Sequence, residues 1–293
     1  MGKAVHSSAE DAPAKINLAL HVLGRRSDGY HNLDSLVVFA DIADRLKIVD
    51  SDEAPDLAID GPFAPALRAV SRPGDNLVRR TAYEIAVRTG MPTMTRFRLT
   101  KNIPVGAGLG GGSADAAAAL RLLAPGKLNN VDIRALAKTL GADVPMCMES
   151  VPVHATGVGA DTHKVDMPSL PIVLVFPGVS VGTGEVFGGL QNPADLPLPA
   201  LPGRFRSTED VVHWLSQTIN GLEAAAVRIA PAIDLALSRL GTAPASLLTR
   251  MSGSGSACFA VFSTHATAES AAALLQRSQP TWWVRATATR GSV

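Results

Sequence analysis

The densest chemistry in the chain lies in Pro104-Val105-Gly106-Ala107-Gly108-Leu109-Gly110-Gly111-Gly112-Ser113-Ala114-Asp115, where five glycines run into an alanine-rich stretch reaching Leu123. Glycine lacks a Cβ, so such a loop reaches positive φ and lets an anion approach its N–H groups. A helix that follows adds unpaired N–H donors and the positive end of its dipole. The ligand this suits is a nucleotide phosphate. The plain alternative is a glycine turn capped by Ser113. That needs one or two glycines, and each further one costs roughly 0.5–1 kcal/mol of backbone entropy.

The known phosphate-binding designs narrow the reading. No Lys-Ser or Lys-Thr follows the glycines, which excludes the P-loop pattern. Gly106 to Gly111 matches G-x-G-x-x-G formally, but the strand expected before it, Thr95 to Lys101, alternates Phe97 and Leu99 with Arg96, Arg98 and Thr100. A central parallel strand of a dinucleotide fold is almost continuously apolar. A protein-kinase His-Arg-Asp loop and an Asp-Phe-Gly are both missing from the sequence.

The elements that must position the loop are legible around it. Ala14 to Val22 alternates Ile16, Leu18, Leu20 and Val22 with Lys15, Asn17, Ala19 and His21, so Lys15 and Asn17 share a face of one strand. Two further strands are expected at Ser35 to Ala40 and Arg45 to Val49, joined by an Asp41–Asp44 connection. Asn76 caps a helix that stops at Gly90, and the helix after Ser113 ends at Pro125-Gly126. A third helix carries Ile133, Leu136, Ala137 and Leu140 and stops at Gly141, so Asp143 stands in a turn that Pro145 stiffens. In the second half, strands at Ile172 to Phe176, Cys258 to Phe262 and Trp282 to Thr289 are read with helices from Ser207, from Pro231 and over Ala266 to Arg277. These form a small antiparallel sheet with helices on one face, as in ferredoxin-like folds.

Composition bounds the rest. At 293 residues, 46% hydrophobic and 18% charged, the chain has room for two medium domains. A net charge of +1 without blocks of like charge gives no nucleic-acid footprint. Met1 to Pro13 lacks an apolar leader, and Ile172 to Phe176 is too short to span a membrane. Cys147 and Cys258 stand far apart without metal-ligand neighbours, as expected in a reducing compartment. The expectation is a cytoplasmic protein with neither nucleic-acid nor membrane partners.

Three separated segments resemble, in order, the motifs of the GHMP small-molecule kinases: Pro13-Ala14-Lys15-Ile16-Asn17-Leu18, the Pro104–Ala114 glycine run, and Ser252-Gly253-Ser254-Gly255. Gly24-Arg25-Arg26-Ser27-Asp28-Gly29-Tyr30-His31 and Leu140-Gly141-Ala142-Asp143-Val144-Pro145 resemble the branch that phosphorylates a cytidine diphosphate-linked methylerythritol on the non-mevalonate route to isoprenoid precursors. The resemblance implies an α+β, two-domain GHMP kinase fold. Its N-terminal, ATP-binding, ribosomal S5 domain 2-like domain would cover residues 1–165, and a ferredoxin-like C-terminal domain 166–293.

It also implies ATP and Mg2+ as cofactors and a monomer or weak homodimer. Asp143 would accept the hydroxyl proton, while Lys15 holds Asp143 ionised and steadies the transferring phosphoryl group. Pro104, Gly106, Gly108, Leu109, Gly110, Gly111, Gly112, Ser113 and Ala114 would cradle ATP, with Asn76 and Lys101 near its adenine and ribose. Helix capping explains Asn76 nearly as well, and strand-end solvation Lys101. Tyr30 and His31 would line a cytidine pocket that Phe187 closes from the other side, with Thr183 and Asn17 also on the substrate. Phe187 also reads as a core aromatic on a short helix. Ser113 is the candidate magnesium ligand, and no carboxylate ligand is assigned. The sequence departs from the family at Met146-Cys147-Met148-Glu149-Ser150, and the family's Gly-x-Gly-Glu is Gly157-Val158-Gly159-Ala160-Asp161 here. Two rival readings remain: a GHMP kinase for mevalonate, homoserine or a sugar, and a non-catalytic nucleotide- or RNA-binding module.

Overall fold

Two long paired strands open the fold, β1 (Ala9–Arg25) and β2 (His31–Val49). They are followed by β3 (Leu57–Asp60), α1 (Ala64–Val70), α2 (Leu77–Thr89), β4 (Arg96–Thr100), α3 (Gly111–Leu123), α4 (Asn130–Leu140) and α5 (Val144–Glu149). Then come β5 (Val153–Gly157), β6 (Asp161–Lys164), β7 (Pro171–Phe176), α6 (Thr183–Gly188), α7 (Thr208–Leu215), α8 (Glu223–Ile229) and α9 (Ala232–Gly241). The chain closes with β8 (Ser246–Met251), β9 (Cys258–Phe262), α10 (His265–Ser278) and β10 (Trp283–Ala288). This computed structural model describes residues 9–49, 56–70, 74–90, 95–124, 126, 128–191 and 193–292. Pro125, where the sequence ended the third of these helices, Asn192 and the first part of the Met1–Pro13 stretch lie outside the described residues.

The chain forms two compact units that interleave along the sequence. One takes the chain through Ala14, Ile42–Val105 and Gly110–Glu149; the other takes Lys15–Asp41, Gly106–Leu109 and Ser150–Val293.

In the first unit the C-terminal half of β2 pairs antiparallel with β4, Leu46 opposite Leu99 and Ile48 opposite Phe97, and β4 pairs in parallel with β3. Leu46, Phe97 and Leu99 are buried while Arg98 between them is exposed, the alternation of a sheet covered on one face. α2 forms as its caps dictate, the Asn76 side chain accepting from Val78 N at 2.9 Å and Gly90 ending it at φ +66°. α3 carries alanine at 114 and 116–119, all buried, so small side chains let α2, α4 and α5 pack closely against it.

In the second unit the N-terminal half of β2 pairs antiparallel with β5, and β5 with β6. A separate four-stranded antiparallel sheet has the order β10-β7-β9-β8. Counted from β7, that is the 4-1-3-2 order of a ferredoxin-like domain, as the sequence predicts. Every residue of β7 is buried. Val173 and Val175 on one face join Ala260 and Phe262 of β9, Ile233 and Leu240 of α9, and Ala271 and Leu275 of α10 in one core.

Four features depart from the sequence reading. Ser35–Ala40 and Arg45–Val49 belong to one strand rather than two, because Asp44 is no turn residue: it is fully buried and accepts the backbone N–H groups of Asn102 and Ile103. Ser113 does not cap its helix; Gly110 at φ +64° occupies the N-cap and Ser113 is already inside the first turn. β8 was not expected in the sheet, and Pro145 lies within the short helix α5 rather than beyond a turn.

Candidate functional site

The glycine turn has positive φ at Gly106 (+69°), Gly108 (+75°) and Gly110 (+64°). At Gly108 the packing demands glycine as well, since a Cβ would stand 2.7 Å from the carbonyl oxygens of both Ser252 and Gly255. The scaffold holds the turn by its carbonyls: Lys15 N donates to Leu109 O at 2.8 Å and Ala257 N to Ala107 O at 2.9 Å. In a trans peptide the N–H opposes the C=O, so the N–H groups of Gly108 and Gly110 point away from that scaffold, where an anion can take them. The Ser252–Gly255 turn supports the loop, as one of its two sequence readings had it. Ser252 Oγ accepts from Asn17 N at 3.2 Å and donates to Gly108 O at 3.4 Å.

On β1, Lys15 and Asn17 are both buried. Asn17 Nδ2 donates to Ser35 Oγ at 2.8 Å, but its Oδ1 is a buried acceptor with no hydrogen-bond partner, lying against Gly253. An orphaned buried acceptor calls for a donor from outside the protein. Asp143 is half-buried in the turn between α4 and α5, its carbonyl accepting from Cys147 N at 3.2 Å.

Within the second unit a cavity of about 800 Å³ gathers Tyr30, His31, Thr183 and Phe187, together with Arg25, Pro193 and Ala194. The His31 and Phe187 rings are stacked on one another rather than facing across the cavity, which corrects the expectation that Phe187 closes it from the far side. Tyr30 is 67% exposed and so available at the rim. Burial, with Arg25 assisting, lowers the His31 pKa, so the imidazole is neutral at physiological pH. Thr183 Oγ1 shares a hydrogen bond of 3.0 Å with Ser254 Oγ. The irregular segment over 193–203 is tied down where it borders the cavity. Asp195 Oδ2 accepts from Val22 N at 2.7 Å, the Leu196 carbonyl meets His21 Nδ1 at 2.7 Å, and Leu198 N donates to Asp34 Oδ2 at 3.0 Å.

In the first unit, Lys101 and Asn76 have clear local partners. Asn76 caps α2. Lys101 is not solvated at a strand end: it is 3% exposed, with its ammonium paired to Asp44 and, at 2.7 Å, to Asp115. Burial opposes that charge, yet the two carboxylates raise the Lys101 pKa. Sequence reasoning passed over Asp44 and Asp115. A lone acid in the alanine run after Ser113 was the available signal for Asp115, because a carboxylate on a buried helix face requires a partner. Arg25 on the cavity wall was also missed, though it sits in the Gly24–His31 segment.

Comparison with known proteins places the chain. Residues 76–150 match the GHMP kinases N terminal domain and residues 200–280 the GHMP kinases C terminal domain. The chain is 44% identical to the 4-diphosphocytidyl-2-C-methyl-D-erythritol kinase of Chelativorans sp. (strain BNC1), covering 96% of each chain. It is 46% identical to the enzyme of the same name from Dinoroseobacter shibae, over 95% of this chain and 94% of that one. A crystal structure of 4-(cytidine 5'-diphospho)-2C-methyl-D-erythritol kinase superposes with a TM-score of 0.78 at 34% identity, covering 97% of this chain and all of that one.

Proposed function

Because this chain belongs to the 4-diphosphocytidyl-2-C-methyl-D-erythritol kinase family of the GHMP kinases, we propose how its residues divide the work of that reaction. The enzyme transfers a phosphoryl group from ATP to a hydroxyl of 4-diphosphocytidyl-2-C-methyl-D-erythritol, giving the 2-phosphate, a step of the non-mevalonate route to isoprenoid precursors. Identity of 44–46% over nearly the whole length sets aside mevalonate, homoserine and sugars as the acceptor.

The observation that carries the assignment of roles is the glycine turn, with the carbonyls of Ala107 and Leu109 held by the scaffold and the opposite N–H groups turned outward. Those N–H groups and the first turn of α3 take the ATP phosphates, with Pro104 and Ala114 bounding the cradle and Asn76 serving the nucleoside end; Lys101, its ammonium taken up by Asp44 and Asp115, supports the cradle without touching the nucleoside. Phosphoryl transfer asks a protein mainly to align the nucleophile and to meet spreading negative charge. Asp143 accepts the hydroxyl proton late in the reaction, and Lys15 supplies the fixed cation for the phosphoryl oxygens. Asn17, through its unpartnered Oδ1, accepts from a substrate hydroxyl. Tyr30, His31, Thr183 and Phe187 hold the cytidine end.

Magnesium bound with ATP would be held mostly through phosphate oxygens and water, and would supply charge neutralisation on the phosphates. Ser113, half-buried on the first turn of α3, offers one oxygen of the hard type that this ion accepts. The protein acts in the cytoplasm as a monomer or weak homodimer, without nucleic-acid or membrane partners. Its +1 net charge and two buried free thiols support this. The N- and C-terminal family domains are read as meeting at 165/166, in the stretch between the two family matches, although the compact units themselves interleave.

The test is Asp143→Asn beside Lys15→Met. Each lowers kcat by about 10²–10⁴-fold while leaving the Kd for a non-hydrolysable ATP analogue within about threefold. Undiminished kcat in either variant overturns that residue's role.

A further inference from the structure

Lys101, Asp44 and Asp115 form a buried ionic triad within the first unit, and its attachments fall on the chain entering and leaving the glycine turn. At the entering end, Asp44 Oδ1 accepts from Asn102 N at 2.5 Å and Ile103 N at 2.9 Å, the two residues before Pro104. At the leaving end, Asp115 stands on the first turns of α3 and its Oδ2 accepts from Lys101 Nζ at 2.7 Å. Lys101 Nζ also donates to Asp44 Oδ2, closing the bridge. Gly111 rests on the triad: a Cβ there would lie 3.4 Å from both Asp44 Oδ2 and Lys101 Nζ. The three side chains are 0–5% exposed. None of them can serve as a solvated surface charge, and a pair of buried charges is weak ground for stability by itself.

We propose that Asp115 is a positioning residue for ATP: through Lys101 and Asp44 it fixes the two ends of the glycine turn at the separation the phosphates require. The proposal rests on the reading of that turn as the ATP cradle. Asp115 does its work through geometry. One carboxylate oxygen anchors the ammonium while the other, Oδ1, is buried without a partner, an arrangement that stability alone would not favour. Backbone N–H donors held at fixed spacing bind an anion without the entropy of ordering a loop, so loosening one end weakens phosphate binding before it touches the chemistry. The acceptor alcohol never meets Asp115, and its KM is set elsewhere.

The experiment measures kcat, the KM for magnesium-ATP and the KM for 4-diphosphocytidyl-2-C-methyl-D-erythritol in the full chain with Asp115→Ala and Asp115→Asn. The alanine variant raises the ATP KM by about tenfold at unchanged kcat and unchanged alcohol KM. The asparagine variant, which still offers Lys101 an oxygen, returns the ATP KM to within about threefold of wild type. An unchanged ATP KM in the alanine variant, or a joint fall in kcat and rise in both KM values, overturns the inference. If the alanine variant yields no folded protein, Asp115→Ser takes its place under the same criteria. Absence of saturable ATP binding in the wild type itself would overturn the ATP reading of the turn, and a normal wild type with indifferent variants overturns this inference alone.

Discussion

The ring of His31 stacks on the ring of Phe187, centroids 5.0 Å apart and planes 26° from parallel. That is contact distance for two rings, so the first residue of β2 and the penultimate residue of α6 make one aromatic wall of the cavity.

Loss of the wall has a selective signature. An aromatic contact of this kind contributes about 0.5–1.5 kcal/mol, so Phe187→Ala raises the KM for the cytidine substrate by about 3–10-fold and leaves the KM for ATP unchanged. Phe187→Tyr restores the wild-type value. Steady-state kinetics with each substrate varied in turn checks this.

Arg250 predicts a stability effect. It is buried on β8, and its guanidinium donates to Leu18 O (2.7 Å), Thr218 Oγ1 (2.9 Å), Thr218 O (2.7 Å) and Leu215 O (3.1 Å). Burial, offset in part by Glu223, lowers its pKa to about 10, so it is charged at physiological pH and needs those oxygens. Arg250→Met strands several buried carbonyls and lowers the unfolding free energy by about 3–5 kcal/mol, read as a lower urea midpoint at constant m-value.

How much of this was legible beforehand follows from the range of each signal. The glycine turn, the Asn76 cap and Gly90 stop of α2, and strand Cys258–Phe262 were read correctly because each depends on residues within a few positions. Asp44 was read as part of a connection, since an acid ending an apolar alternation looks like a turn. Its partners, Asn102 and Ile103, are 58 and 59 residues away, and no local pattern announces them. β8 was missed for a related reason: Thr249 and Arg250 break the apolar run, and burial of Arg250 is made tolerable by distant oxygens from β1 and from the segment over 215–218. Ser113 carried a genuine capping signal, overridden because Gly110 takes a left-handed conformation and starts the helix two residues earlier than Ser113.

Asp115 gives stability a pH dependence of definite sign. Burial pushes its pKa up to about 7, against the pull of Lys101 and with Asp44 reinforcing the rise. In the unfolded chain the same carboxyl loses its proton near 3.8. The stability contributed by the protonated form is fully present below that value and is lost as pH rises through about 7. Unfolding free energies of the wild type, taken relative to Asp115→Asn, fall as the pH rises from 4 to 8. A difference that stays constant with pH would refute the assignment.

The most direct test of the central claim is ADP release from magnesium-ATP with 4-diphosphocytidyl-2-C-methyl-D-erythritol as acceptor, run beside mevalonate, homoserine and galactose, with the phosphorylated position of the product located by ³¹P coupling. Turnover on the cytidine-linked alcohol alone, with the phosphate on its 2-hydroxyl, is the predicted result. Turnover on another alcohol, or on none, would contradict it.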